Sequence, residues 1–234
     1  MPKRALSQIS IPIISQAWSR NDLSEIGMIY KKSAINQALL GVLIFLLIWL
    51  NVDILLAIVP KHSIYEQGKF VILFIALSRL LDMATGVNSE IILTSPYYRM
   101  NLLFIIVMAA LTITTNLLLI HTYGINGVAF AAFISMFLFN VFKIIFIWYK
   151  LKIQPYDISI VKLIGIATVV MGLFYFWPQQ KGDLIFSILQ ISLRSIVIAI
   201  LFVSAIFYFN VSEDFNHTLK NLKSILKTFK PESK

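Results

Sequence analysis

Cysteine is missing altogether from these 234 residues. That excludes disulfides and thiolate metal sites, although it says little about compartment for a chain this apolar. Histidine is scarce, and His62, His121 and His217 stand apart with no ligand spacing among them, so no metal site is expected. Charge is thin, at 13% of residues, and acidic residues are outnumbered 11 to 20 by lysine and arginine. The period-two alternation of a membrane strand is absent, which argues against a β-barrel. No P-loop, glycine-rich dinucleotide loop, nucleophile elbow or His/Glu zinc spacing occurs. Neither ATP hydrolysis nor a cofactor is therefore expected, and the chain does not read as an enzyme.

What fills the chain is apolar: 59% hydrophobic residues and a mean hydropathy of +0.83, far from the soluble average. Runs of about twenty apolar residues recur, each able to cross a hydrocarbon core of roughly 30 Å as a helix rising about 1.5 Å per residue. They predict an all-α polytopic membrane protein with spans at Ala34–Val59, Phe70–Thr94, Asn101–Ile120, Ile125–Tyr149, Ile158–Trp177 and Leu184–Asn210. The joints between them, such as "SPYYRM" at Ser95–Met100 and "HTYGIN" at His121–Asn126, are too short to hold a soluble catalytic domain.

The net charge of +9 is distributed as a membrane protein distributes it, so no nucleic acid is expected. With the joints numbered alternately, Lys3, Arg4, Arg20, Lys31, Lys32, Arg99, Lys143, Lys150, Lys152, Lys162 and the lysines of the tail fall on one side. Only Lys61, Lys69 and Lys181 fall on the other. The positive-inside rule then places both termini in the cytoplasm. The tail, "KNLKSILKTFK" at Lys220–Lys230, spaces lysines beside Leu222, Ile225, Leu226 and Phe229 as an amphipathic helix on anionic membrane lipid would. Tyr97, Tyr98, Trp148, Tyr149, Tyr156, Tyr175 and Trp177 sit at span ends and read as interfacial anchors.

Before the first span, Ala5–Ser33 carries an apolar section too short to cross and interrupted by Pro12, then a short amphipathic stretch with Asn21 or Asp22 as N-cap and Leu23, Ile26, Ile29 and Tyr30 on one face. A helix lying along the interface fits it. The expected organisation is a cytoplasmic connector at 1–33, a four-helix part at 34–157, two additional membrane helices at 158–210 and a basic cytoplasmic tail at 211–234.

Three segments together resemble the polysaccharide flippases of the multidrug/oligosaccharidyl-lipid/polysaccharide exporter superfamily. The connector around Pro12–Ser15 and Asn21–Asp22 is similar to that family's "P-I-x-S…(N/G)-D" loop, and "TNLLLIHTYGINGVAFAAFIS" at Thr115–Ser135 to its "N-x-L-L-I-P-x-Y-G-I-x-G-A-A" turn, departing at His121 and Val128. "GVNSEIILTSPYYR" at Gly86–Arg99 resembles the helix and turn between them. The likeness runs over Ile9–Asp157, and the last two helices match the extra pair of fourteen-helix members. It implies a C-terminal half whose partner, the N-terminal lobe, lies outside this chain, so that the chain alone is inactive. It also implies a bacterial inner membrane and an O-antigen, lipopolysaccharide or related polysaccharide pathway.

The residues that composition least explains are those of "SRLLDMATGVNSEIILTS" at Ser78–Ser95. On a helix turning about 100° per residue, Ser78, Arg79, Asp82, Gly86, Ser89 and Glu90 fall within an arc of roughly 120°. Arg79 and Asp82 are spaced to pair within the helix, and an unpaired charge at mid-span costs about 2.5–3.5 kcal/mol. Two readings stand: an internal Arg–Asp staple, or the polar wall of a translocation cavity extended by Ser89 and Glu90. Arg194, sharing a face with Ser187 and Gln190, could answer a lipid phosphate, a carboxylate or the absent lobe. Asn36, Gln37, Thr112, Thr115, Asn116 and Asn140 read as interhelical hydrogen-bonding groups, and Lys143 as snorkelling to the surface.

The expected function is transport of a lipid-linked oligosaccharide across the membrane. In this reading Arg79 attracts the anionic head group, and Asp82 and Glu90 restrain it or couple to a cation or proton. The alternatives are a membrane enzyme of glycan assembly and a cation-coupled drug exporter of the same superfamily. The longest joint on the non-cytoplasmic side, at Pro60–Lys69, offers an enzyme only His62 and Glu66.

Overall fold

The computed structural model describes residues 2–59, 68–178 and 183–217, and among these the chain is helical with no strand. His62, Glu66, Lys61, Lys181 and the amphipathic tail at Lys220–Lys230 lie outside the described residues. Helix α1 spans Pro2–Ser19 and α2 Leu23–Trp49, followed by a short α3 at Val52–Ile58. Helices α4 (Lys69–Ala84) and α5 (Asn88–Thr94) form a bent pair, α6 covers Tyr98–Leu151, and α7 (Ile158–Tyr175) and α8 (Leu184–Tyr208) complete the set.

Helix α1 runs through Pro12, so the proline does not interrupt the segment as the sequence suggested. The ring costs one backbone hydrogen bond. Ser10, Ile14 and Ala17 are buried at spacings of four and three, which holds both halves of α1 against α2 and α5, while Pro12 itself is exposed. Asp22 caps α2 by accepting a hydrogen bond from the Glu25 N–H at 2.9 Å. From that cap the helix continues unbroken to Trp49, so the amphipathic stretch and the first span are one element, not an interfacial helix followed by a span. It ends where Asn51 turns its amide back onto the Leu47 carbonyl at 2.8 Å.

Helices α2, α6, α7 and α8 are each long and apolar enough to cross a membrane, and so are α4 and α5 taken together, bent by 49°. A straight α6 would be about 80 Å long, far beyond a bilayer core of roughly 30 Å. It breaks at Gly124, where the backbone leaves helical geometry (φ 54°, ψ −135°), and folds back on itself. Thr115 Oγ1 and Ser135 Oγ meet at 3.0 Å and the Phe104 and Phe146 rings at 5.5 Å, which fixes the two limbs antiparallel. At the crossing a Cβ on Gly127 would sit 2.2 Å from the Leu119 carbonyl oxygen, so only glycine lets the limbs close this tightly. The protein is an all-α polytopic membrane protein; the expected span at Ala34–Val59 is instead the helix Leu23–Trp49 followed by the separate α3, and the expected span at Phe70–Thr94 is the bent pair α4–α5.

Helix α2 is the spine. One side of it packs with α7 and α8 through Leu39, Leu46, Leu163, Val170, Ile198 and Phe202. Near its start Ile26 and Tyr30 join Ile14, Ile91, Ile92 and Ile147 of α1, α5 and α6. Outward-facing apolar residues such as Leu102, Ile106, Ile113 and Leu117 on the first limb of α6 remain exposed, as lipid contact requires. Two ends follow from this path. The starts of α2 and α7 and the ends of α6 and α8 share a basic end with Lys31, Lys32, Lys150 and Lys152. At the opposite end Lys69 pairs with Asp53 at 2.5 Å. Most span-end aromatics are exposed, as interfacial anchors are, but Tyr156 is half-buried beside Tyr30.

Candidate functional site

The stretch from Ser78 to Ser95 is two helices. The chain bends at Gly86, whose φ of +58° lies in the left-handed region. A Cβ there would also stand 2.6 Å from Ser33 Oγ and 2.7 Å from the Ala34 nitrogen, so α2 can approach only a glycine. The projected polar stripe therefore does not exist as one face. Arg79 and Asp82 belong to α4, whereas Ser89 and Glu90 belong to α5, turned 49° away.

A bend exposes backbone groups that must find partners in a low-dielectric interior. Here Ser33 Oγ accepts from the Val87 N–H at 3.3 Å and donates to the Tyr30 carbonyl at 2.9 Å. Thr85 donates to Asn140 Oδ1 at 3.0 Å, and the Asn88 amide donates to the same oxygen at 3.1 Å. Ser89 donates to Asn88 Oδ1 at 3.2 Å and accepts from Lys143 Nζ at 2.7 Å. The Lys143 ammonium also lies 3.8 Å from the Phe139 ring centroid. With 2% of its surface exposed, Lys143 does not snorkel outward: the polar bend gives the ammonium acceptors inside the bundle.

Two further polar groups border the bend. Glu90 is buried, and among the described residues its Oε2 has no hydrogen-bond partner. Gln37 lies one helical turn from Ser33 and one from Gly41, the residue packed on Leu80 and Met83, and both polar atoms of its buried amide lack a partner among the described residues. Buried polar atoms are almost always satisfied, so these two side chains leave hydrogen-bonding capacity unmet beside the bend.

The expected site residues are distributed unequally over this geometry. Ser89 is inside the network and Glu90 beside it. Asp82 is half-buried on α4, and Arg79 is exposed and makes no ion pair among the described residues. Arg194 belongs elsewhere: it is buried on α8, 4% exposed, and its Nη2 donates to the Phe174 carbonyl at 2.6 Å. That carbonyl is one of the last of α7, so the guanidinium caps the negative end of a helix. Thr85 and Asn88 were not legible as site residues. The Asn140–Lys143 spacing, which puts an amide and an ammonium on one helix face, was the available signal. Compared with protein-family models, with curated proteins and with solved structures, the chain matches none.

Proposed function

We infer that this chain is part of a membrane transporter that carries a lipid-linked oligosaccharide, a polysaccharide precursor, across a bacterial inner membrane. The observation that supports it best is the bent α4–α5 span, with exposed Arg79 on one arm and the buried Lys143–Ser89–Asn88–Asn140 chain at its elbow. Hydrocarbon does not solvate a guanidinium near the middle of a span, at a cost of about 2.5–3.5 kcal/mol. Arg79 therefore faces protein or water, and a water-filled cavity between lobes supplies the latter. Discontinuous helices with polar elbows are where transporters bind substrates and ions, and rocking about such a site gives alternating access.

The cargo comes from the resemblance to polysaccharide flippases, and its chemistry fits a cationic side chain: the diphosphate head needs one, while the polyprenyl tail stays in lipid. In this reading the basic end, with Lys31, Lys32, Lys150 and Lys152, faces the cytoplasm together with both termini.

Binding of a radiolabelled polyprenyl-diphosphate sugar to the full chain in nanodiscs tests this, with an organic cation as competitor. Saturable binding is expected, lost on Arg79→Leu/Asp82→Leu with folding intact and unaffected by the cation. Binding of the cation alone would replace the cargo. Loss of folding in the double variant would favour the staple, and Arg79→Gln alone then decides whether head-group binding depends on this charge.

A further inference from the structure

The basic end holds a pocket of about 730 Å³ between the start of α2, the end of α6, the 152–157 connection and the residues after α8. Its size lies within the roughly 300–1,000 Å³ of small-molecule sites. Its charges come in opposite pairs. Lys32 and Asp214 satisfy each other at 3.1 Å. That leaves Lys31, Lys152, Asp157 and Glu213 in the lining, with no ion pair to any of the four among the described residues. Lys152 rests on the Trp148 ring at 5.4 Å, and Asp157 accepts from the Ser159 N–H at 2.8 Å, so both are held at the pocket.

The geometry points to a site for the head group of a phospholipid carrying a primary amine, a phosphatidylethanolamine type. Two cations without an ion pair suit one phosphate, and two carboxylates without an ion pair, Asp157 with its second oxygen, suit one ammonium. A purely anionic head would leave Asp157 and Glu213 facing like charge, and a choline head would offer them no N–H. The lining also explains why the ligand is an amphiphile. Leu23 and Met28 are 39% and 52% exposed beside the lysines, and Trp148 marks head-group depth, so acyl chains can leave along apolar surface into the bilayer. This site is separate from the α4–α5 elbow and stands whether or not the transport reading does.

Native mass spectrometry of the detergent-purified full chain, titrated with phosphatidylethanolamine, phosphatidylcholine, phosphatidylglycerol and soluble phosphoethanolamine, tests it. Phosphatidylethanolamine is expected to bind at least about tenfold more tightly than the other three. Lys31→Gln/Lys152→Gln is expected to weaken phosphatidylethanolamine and phosphatidylglycerol alike, each by about tenfold or more. Glu213→Gln is expected to weaken phosphatidylethanolamine about tenfold and leave phosphatidylglycerol unchanged. Equal binding of phosphatidylglycerol or phosphatidylcholine overturns the zwitterionic assignment, and equal binding of phosphoethanolamine overturns the lipid. Unchanged affinities for phosphatidylethanolamine and phosphatidylglycerol in the folded double variant overturn the site. Should the double variant not fold, Glu213→Gln, at an exposed position, decides in its place: an unchanged preference for phosphatidylethanolamine then overturns the site.

Discussion

Lys143 of α6 donates to Ser89 Oγ of α5 at 2.7 Å, joining the two arms of the bundle through a buried ammonium. A charge in that position is expensive, and its retention is a sign of use. Lys143→Met keeps the shape and removes the charge. It is expected to shift stability by no more than about 1–3 kcal/mol, because the cost of burying the charge and the loss of the hydrogen bond to Ser89 oppose each other. Substrate binding is expected to fall. Ser89→Ala keeps the ammonium but takes away one acceptor, and is expected to cost about 1–3 kcal/mol. If both variants lose stability alike, Lys143 is a packing element only.

Gly86→Ala meets two penalties at once. The left-handed φ of +58° costs roughly 1–2 kcal/mol for a residue with a Cβ, and the added carbon meets Ser33 Oγ and the Ala34 nitrogen. A total near 3 kcal/mol is expected, read as a fall in midpoint in detergent unfolding. Ser33→Ala in the same chain is not expected to rescue it, because the backbone nitrogen remains. A rescue would mean that the hydroxyl alone sets the approach.

At Arg194 two effects of similar size oppose each other. The hydrogen bond from a charged donor to the Phe174 carbonyl is worth about 1.5–3 kcal/mol. Against it stand the burial of the guanidinium and the absence of partners, among the described residues, for its Nε and Nη1. Placing such a charge at mid-span costs about 2.5–3.5 kcal/mol. Arg194→Leu is therefore expected to leave stability within about 1 kcal/mol of the parent or to raise it. A loss well beyond about 2 kcal/mol on unfolding in bilayers would show that the helix cap outweighs the buried charge.

Tyr156 lies outside the spans, and burial pushes its phenol above the usual value of about 10. The folded state thus favours the neutral ring. The stability this contributes is complete below about pH 10 and is lost as pH rises from there through the folded value. A series of thermal midpoints at alkaline pH should fall more steeply in the parent than in Tyr156→Phe. Parallel curves would remove Tyr156 from the alkaline transition.

Much of the fold was legible because lipid enforces a simple rule. A chain that must satisfy its own backbone in hydrocarbon forms helices of bilayer length, so the apolar runs from Phe70, Asn101, Ile125, Ile158 and Leu184 mark the crossings directly. The Asp22 cap and the Gly124 turn were readable for the same local reason, since each depends on neighbours a few residues away.

The candidate site was legible only in part. A helical projection assumes one axis, and the bend at Gly86 removes that axis, which is why Arg79 and Glu90 do not share a wall. Lys143 reads as a snorkelling lysine until Ser89 is known to face it across 54 positions of sequence. The same holds for Pro12, whose effect depends on what α1 packs against.

The sequence by itself determined that this chain lives in a membrane as helices, with its basic residues gathered at one end, because hydropathy and charge act locally on each span. The tertiary structure decided which polar groups are buried together and which charge is left facing outward. It also decided that Lys31, Lys152, Asp157 and Glu213, drawn from three distant segments, line one pocket. Those outcomes rest on helix packing, which no single span encodes.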